Sequence, residues 1–267
     1  MKRNPSPEKS ARTVHAVKHL TDILRCVSKS SDPIGVNEVA RQVGLDKSSV
    51  SRLIASLEQE RLLQKGRDGG IRLGLGLLAI AAPLMRDLGL STRVRPSLEE
   101  LAERTGETVN LSVWSGSESV SIAQALGSNA ITHFASPGQT NPAHCTASGK
   151  VLLAFEPPEV VEHVLSQPLE KYTDRTVVDP RIIRQQLQEI RARGYAVNHG
   201  EFALDVCAVS AAVCDLDGSL VGALTVTIPA YRFDQDRQAA VLTSTLSVAN
   251  DLSEQFGFRG KAFRSAL

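Results

Sequence analysis

Apolar residues at Val36, Val39, Ala40 and Val43 recur at i, i+3, i+4 and i+7, the signature of one buried face of a short helix. Gly44 follows, where a positive φ closes a helix without steric cost. Asp46 then stands where a carboxylate caps a second helix, whose buried face is Val50, Leu53, Ile54 and Leu57. Upstream, apolar positions 14, 17, 20, 23, 24 and 27 predict a first helix over Val14–Val27, closed by Ser31, Asp32 and Pro33. Downstream, Leu62–Lys65 and Ile71–Leu73 read as short strands around GRDGG, a tight-turn sequence. Two helices joined by a tight turn, with small Ala40, Gly44 and branched Val50 at the crossing, are the pattern of a helix-turn-helix. The hairpin behind it takes the place of a wing.

Leu75–Leu90 is apolar on most sides, with Pro83 as a kink or restart. Such a helix is expected to be covered on more than one face, by its own second domain and by a symmetry mate. Beyond it the chain mixes helices with hairpins. Helices are predicted at Pro96–Arg104, Thr146–Phe155, Pro158–Ser166, Pro180–Arg193 and Asp234–Phe256. Strands are predicted at Thr108–Trp114, Ser119–Leu126, Ile131–Phe134, Tyr195–His199, Val206–Cys214 and Leu220–Ile228. Hairpins in place of regular βα alternation predict an α+β domain around a mainly antiparallel sheet flanked by helices.

Charge changes this picture more than composition does. The 267 residues carry a net charge of +1. Residues 1–75 hold 14 Lys/Arg against 8 Asp/Glu, while residues 76–267 hold 16 against 21. A basic first third joined to an acidic remainder points to a polyanion met by the first part alone. The outward positions of the second helix, Lys47, Ser48, Ser49, Ser51 and Arg52, include no acid and suit base edges and phosphates in a major groove. Lys65, Arg67 and Arg72 on the hairpin suit phosphate or the minor groove; the alternative is a surface hairpin with solvated charges. Cys26, Cys145, Cys207 and Cys214 lack paired spacing, which predicts reduced thiols in a cytoplasmic protein and no metal site. The start of the chain lacks the apolar run of a signal peptide, and Leu73–Leu84 is too short to span a bilayer.

Candidate chemistry in the second part is sparse. Thr146 opens a helix, so the N–H groups of Thr146, Ala147 and Ser148 suit a carboxylate. Thr225 and Thr227 share one strand face, with Asn198, Asp205 and Ala208 from the neighbouring strand region. Cys145 reads either as a small buried hydrophobe or as a ligand contact. His133 and His199 read as satisfied or surface histidines. A competing reading makes Cys145, beside His144, the thiolate nucleophile of an enzyme fused to a DNA-binding domain. GxSxG, HExxH and phosphate-loop motifs are missing, so hydrolase, metalloprotease and nucleotide chemistry lack support.

Three stretches, GVNEVARQVGLDKSSVSRLIASLEQERLL at 35–63, PAHCTASGKVLLAF at 142–155 and GYAVNHGEFALDVCAVSAAVCD at 194–215, resemble the IclR family of bacterial transcription regulators. The resemblance covers roughly residues 14–257. It departs at Asn198, where the family usually has Asp or Ser, and at Cys214, where it usually has an aromatic or His. Glu201, Ala208, Val209, Ser210 and Asp215 fit. The resemblance implies a GAF-like C-terminal domain that binds a small organic acid through Asn198, Ala208, Thr225 and Thr227. No cofactor is expected. One winged helix covers one half-site, so a homodimer or homotetramer, paired through the apolar linker helix, is expected on a pseudopalindromic operator. The expected organisation is a disordered tail at 1–12, a winged helix-turn-helix at 13–74, a linker helix at 75–92, the effector domain at 93–257 and a tail at 258–267.

Overall fold

The computed structural model describes residues 15–30, 32–66, 69–77, 79–81, 90–129, 136–260 and 263. Expectations for the N-terminal tail, Arg67 and Asp68, the Pro83 region, the strand at 131–134 and His133 lie outside the described residues. The chain divides into two compact units, Met1–Leu88 and Gly89–Leu267.

In the first unit, α1 (His15–Lys29), α2 (Val36–Val43) and α3 (Lys47–Gln59) pack around one core. Ile23 of α1, Val39 of α2 and Val50 and Ile54 of α3 meet there. Gly44 has φ 69° and donates its N–H to the Ala40 carbonyl, so the chain reverses within one residue before α3 begins. The hairpin of β1 (Leu63–Lys65) and β2 (Ile71–Leu73) follows, and Ile34 adds a bridge to Ile71 on the far edge. Leu63 and Ile71 turn inward and tie the hairpin to the helical core.

The second unit is an antiparallel sheet of six strands in the order β5-β4-β3-β8-β7-β6. The strands are β3 (Thr108–Ser115), β4 (Glu118–Ala125), β5 (Thr140–Pro142), β6 (Tyr195–His199), β7 (Val206–Cys214) and β8 (Leu220–Pro229). The helices are α4 (Leu90–Thr105), α5 (Ala147–Phe155), α6 (Pro158–Ser166), α7 (Pro180–Arg193) and α8 (Gln235–Gln255). One sheet face, with Val109, Leu111, Val209, Leu224 and Val226, buries against α4 and α8. Part of the other face, with Ala196, Ala212 and Ala223, buries against α5 and α7.

Two expectations are corrected. Pro96 does not start a helix: α4 runs through it from Leu90. Proline costs one backbone bond there, but Val94, Leu98 and Leu101 on both sides of it are buried, so packing outweighs the lost bond. The strand β5 was not expected. It pairs Asn141 with Ser119 at the sheet edge, where Pro142 leaves no central ladder bond unmade.

Candidate functional site

The N-terminus of α3 is fixed by Asp46, whose carboxylate accepts the Ser49 N–H at 2.9 Å and the Ser48 hydroxyl at 2.6 Å. Hydrogen bonds from Ser48 and then Ser49 hold the Asp46 carboxyl well below its usual range. Lys47, Ser48, Ser51 and Arg52 are exposed and Ser49 is half-buried, so the helix presents the polar face that its sequence predicts. The two described cations of the hairpin do not share a face. Register places Gln64 beside Arg72 and Lys65 beside Ile71, so Lys65 and Arg72 leave opposite faces. Arg61 is a cation that the sequence reading missed. It is exposed and sits at φ 58° just after α3, a conformation that glycine usually occupies and that no residue type signals.

A cavity of about 300 Å³ opens in the second unit. Its walls are the start of α5 (Thr146, Ala147, Ser148), the loop before β7 (Phe202, Ala203, Asp205), Gln139 and Asn141 near β5, and sheet residues Asn110, Asn198, Val206, Ala208, Thr225 and Thr227. Eight of the nine residues expected at the effector site therefore line one space: Thr146, Ala147, Ser148, Asn198, Asp205, Ala208, Thr225 and Thr227. Cys145 does not.

The register explains the floor. Asn198, Ala208 and Thr227 stand in one cross-strand row; Ser210, Thr225 and Asn110 stand in the next. Polar residues alternate along β3 with the apolar ones of the core, yet Thr108, Asn110 and Ser112 are all nearly or fully buried. This sheet is covered on both faces, and polar groups on a covered face must find partners. Ser210 and Thr225 share a hydroxyl–hydroxyl bond at 2.9 Å, and Asn110 donates to Ser112 at 3.1 Å. Thr146 caps α5 by accepting the Gly149 N–H at 3.1 Å, which leaves the amides of Ala147 and Ser148, two residues of the cavity lining, without intrahelical partners. Gly149 lets α5 start there: a Cβ on it would lie 2.6 Å from Ala143 Cα.

Asn198, which lines the cavity, is also bound to its neighbours. Its amide nitrogen donates to the Cys145 carbonyl at 2.8 Å and to Glu201 Oε1 at 3.2 Å, and its oxygen accepts the Glu201 N–H. The side chain ties β6 to the start of α5 and to the loop. Glu201 is held in turn by Lys150, whose Nζ lies 2.6 and 2.7 Å from the two carboxylate oxygens. Thr176 donates to the Glu201 carbonyl at 2.6 Å, fixing the same loop from a third side. Cys145 is fully buried. Burial, with the Glu201 charge adding, pushes its thiol up to about 12. His144 directs Nε2 to the Glu170 carbonyl at 2.9 Å, so the two neighbours form no nucleophile–base pair.

The IclR helix-turn-helix domain model matches residues 16–67, and the bacterial transcriptional regulator IclR C-terminal model matches residues 82–254. The chain belongs to the IclR family of bacterial transcriptional regulators. Among IclR-family relatives, the regulator BhcR of Paracoccus denitrificans is 30% identical over 242 residues, covering 90% of this chain and 86% of its own. The repressor AllR of Klebsiella pneumoniae is 28% identical over 262 residues, covering 97% and 95%. The IclR structure from Thermotoga maritima superposes with a TM-score of 0.70 at 25% identity, covering 92% of this chain and all of that one. The IclR assignment makes the N-terminal unit a DNA-binding domain. Among the described residues, Asp205 is the one ionisable side chain of the cavity lining, and no helix is long and apolar enough to cross a membrane.

Proposed function

We propose that this IclR-family protein is a cytoplasmic, ligand-responsive regulator, a repressor or activator, whose hold on a pseudopalindromic operator is modulated by a small organic acid. The acid's carboxylate is received by the Ala147 and Ser148 amides, with the Thr227 hydroxyl alongside. DNA is read by Lys47, Ser48, Ser49, Ser51 and Arg52, and the backbone is held by Lys65, Arg67 and Arg72. A homodimer or homotetramer supplies the two half-site readers that such an operator needs.

The observation that carries the effector reading is a 300 Å³ cavity whose wall combines a helix N-terminus with a polar sheet floor. Calorimetric titration with monocarboxylic acids tests it, alongside operator binding followed by fluorescence anisotropy. Thr227→Val keeps the shape and removes one hydroxyl. It is expected to weaken the acid by about 1–3 kcal/mol and to leave operator affinity without acid unchanged. Equal acid affinity in wild type and variant would place the ligand elsewhere. The reading of Cys145 as a nucleophile finds no support, since a buried thiol held neutral is the reverse of an activated one.

A further inference from the structure

We propose that Asp46 fixes the Ser48 hydroxyl as an acceptor, so that the start of α3 selects a base that offers it an exocyclic amino group, cytosine N4 or adenine N6. The inference rests on the reading of α3 as the groove-facing helix.

The Ser48 hydroxyl donates to Asp46 Oδ1 at 2.6 Å, and the same oxygen accepts the Ser49 N–H at 2.9 Å. Hydrogen bonds from Ser48 and then Ser49 hold the Asp46 carboxyl well below its usual range, so it is ionised and has no hydrogen to give. A hydroxyl bond to a carboxylate at that length is of the strong, charge-assisted kind. Turning the Ser48 hydrogen toward DNA would forfeit it. Ser48 is exposed in the first turn of α3, the part of a recognition helix that meets base edges. What it presents there is oxygen lone pairs.

The choice of cap decides this polarity. Serine, threonine or asparagine also caps a helix, but each can donate as well as accept and would let the Ser48 hydroxyl turn either way. A free serine reads donors and acceptors alike. Lys47 and Arg52, exposed on the same helix, can only donate. In the major groove cytosine and adenine carry the amino donors, whereas guanine shows O6 and N7 and thymine shows O4 and a methyl group. An oxygen that only accepts therefore favours the first two bases and rejects the others.

The test starts with selection of binding sites by the full chain from duplexes of random sequence, followed by anisotropy titration of the selected duplex. At one base pair of each half-site, wild type is expected to favour adenine or cytosine over guanine and thymine about tenfold. Removing the amino group from that base, with purine for adenine or 2-pyrimidinone for cytosine, should weaken wild type by about tenfold and leave Ser48→Ala unaffected. Asp46→Gly keeps a residue that N-caps tolerate and frees the Ser48 hydroxyl; the preference is expected to fall below about threefold. Thermal melting checks that this variant is folded, and if it is not, the comparison of amino-deleted duplexes with wild type and Ser48→Ala decides. A guanine or thymine preference that disappears in Ser48→Ala overturns the polarity alone, as does an amino-group preference that a folded Asp46→Gly retains in full. Base preferences that match at every position in wild type and Ser48→Ala overturn the reading of Ser48 as a groove contact, and this inference with it.

Discussion

Cys145 shows how far one residue's surroundings decide its chemistry. Its thiol is raised to about 12, chiefly by burial, and the thiols of Cys26, Cys207 and Cys214 are raised by burial as well. The unfolded chain releases these protons above about pH 8.5, whereas the folded chain keeps them. Their contribution to stability is therefore complete below pH 8.5 and is lost as pH rises toward the folded values. Urea midpoints are expected to fall steadily above pH 8.5, with a shallower fall in Cys145→Ser. A midpoint that stays flat to pH 10 would contradict the burial of the four thiols. The sequence left Cys145 open between core and ligand contact, because neighbours in the chain say nothing of which way a side chain turns. The bonds of Asn198 were hidden for a similar reason. Its amide groups are all engaged by Cys145 and Glu201, partners 53 and 3 residues away that a strand pattern does not reveal. Asn110 did leave a trace: Thr108, Asn110 and Ser112 alternate with apolar residues. Alternation alone reads as a solvent face, and only the helix covering it turns that face into a site.

At the scale of elements, the Lys150–Glu201 pair joins α5 to the loop that carries Phe202, Ala203 and Asp205. Both partners are buried, so removing one leaves a charge without compensation. Lys150→Met is expected to destabilise the second unit by about 3–5 kcal/mol, measured by urea unfolding. Adding Glu201→Leu should restore much of that loss. If the double variant is no more stable than the single one, the pair's worth lies in packing and not in its charges. The elements themselves were largely legible. Helical and strand periods located α2, α3, β3, β7 and β8, and the Gly44 and Asp46 signals marked the turn between α2 and α3. Pro96 misled because local chemistry was outweighed by burial on both sides. The strand β5 escaped because three residues at a sheet edge, one of them proline, carry no periodic signal.

For the molecule as a whole, the charge division assigns DNA to the basic first third. Arg52→Ala is expected to weaken operator binding by about 1–3 kcal/mol and to relax preference at one base pair. Lys65→Ala should weaken operator and unrelated DNA alike and reduce the salt slope by about 0.9. Anisotropy titrations over a range of salt separate the two effects, and wild-type behaviour in both variants would remove α3 and the wing from the groove. The two compact units divide between Leu88 and Gly89, within the stretch at 75–92 that the sequence pattern assigns to a linker helix. In the Leu75–Leu90 stretch the described residues Leu75 and Ile80 are exposed, and an apolar pattern does not say how many copies meet there. The commitment of Asn198 to its own loop carries a consequence for anyone retuning this chain as a biosensor. Changing that residue alters the architecture of the vessel, whereas Asn110, Gln139 and Asn141 only line its wall; a library built for new analytes should vary those three and leave Asn198 alone.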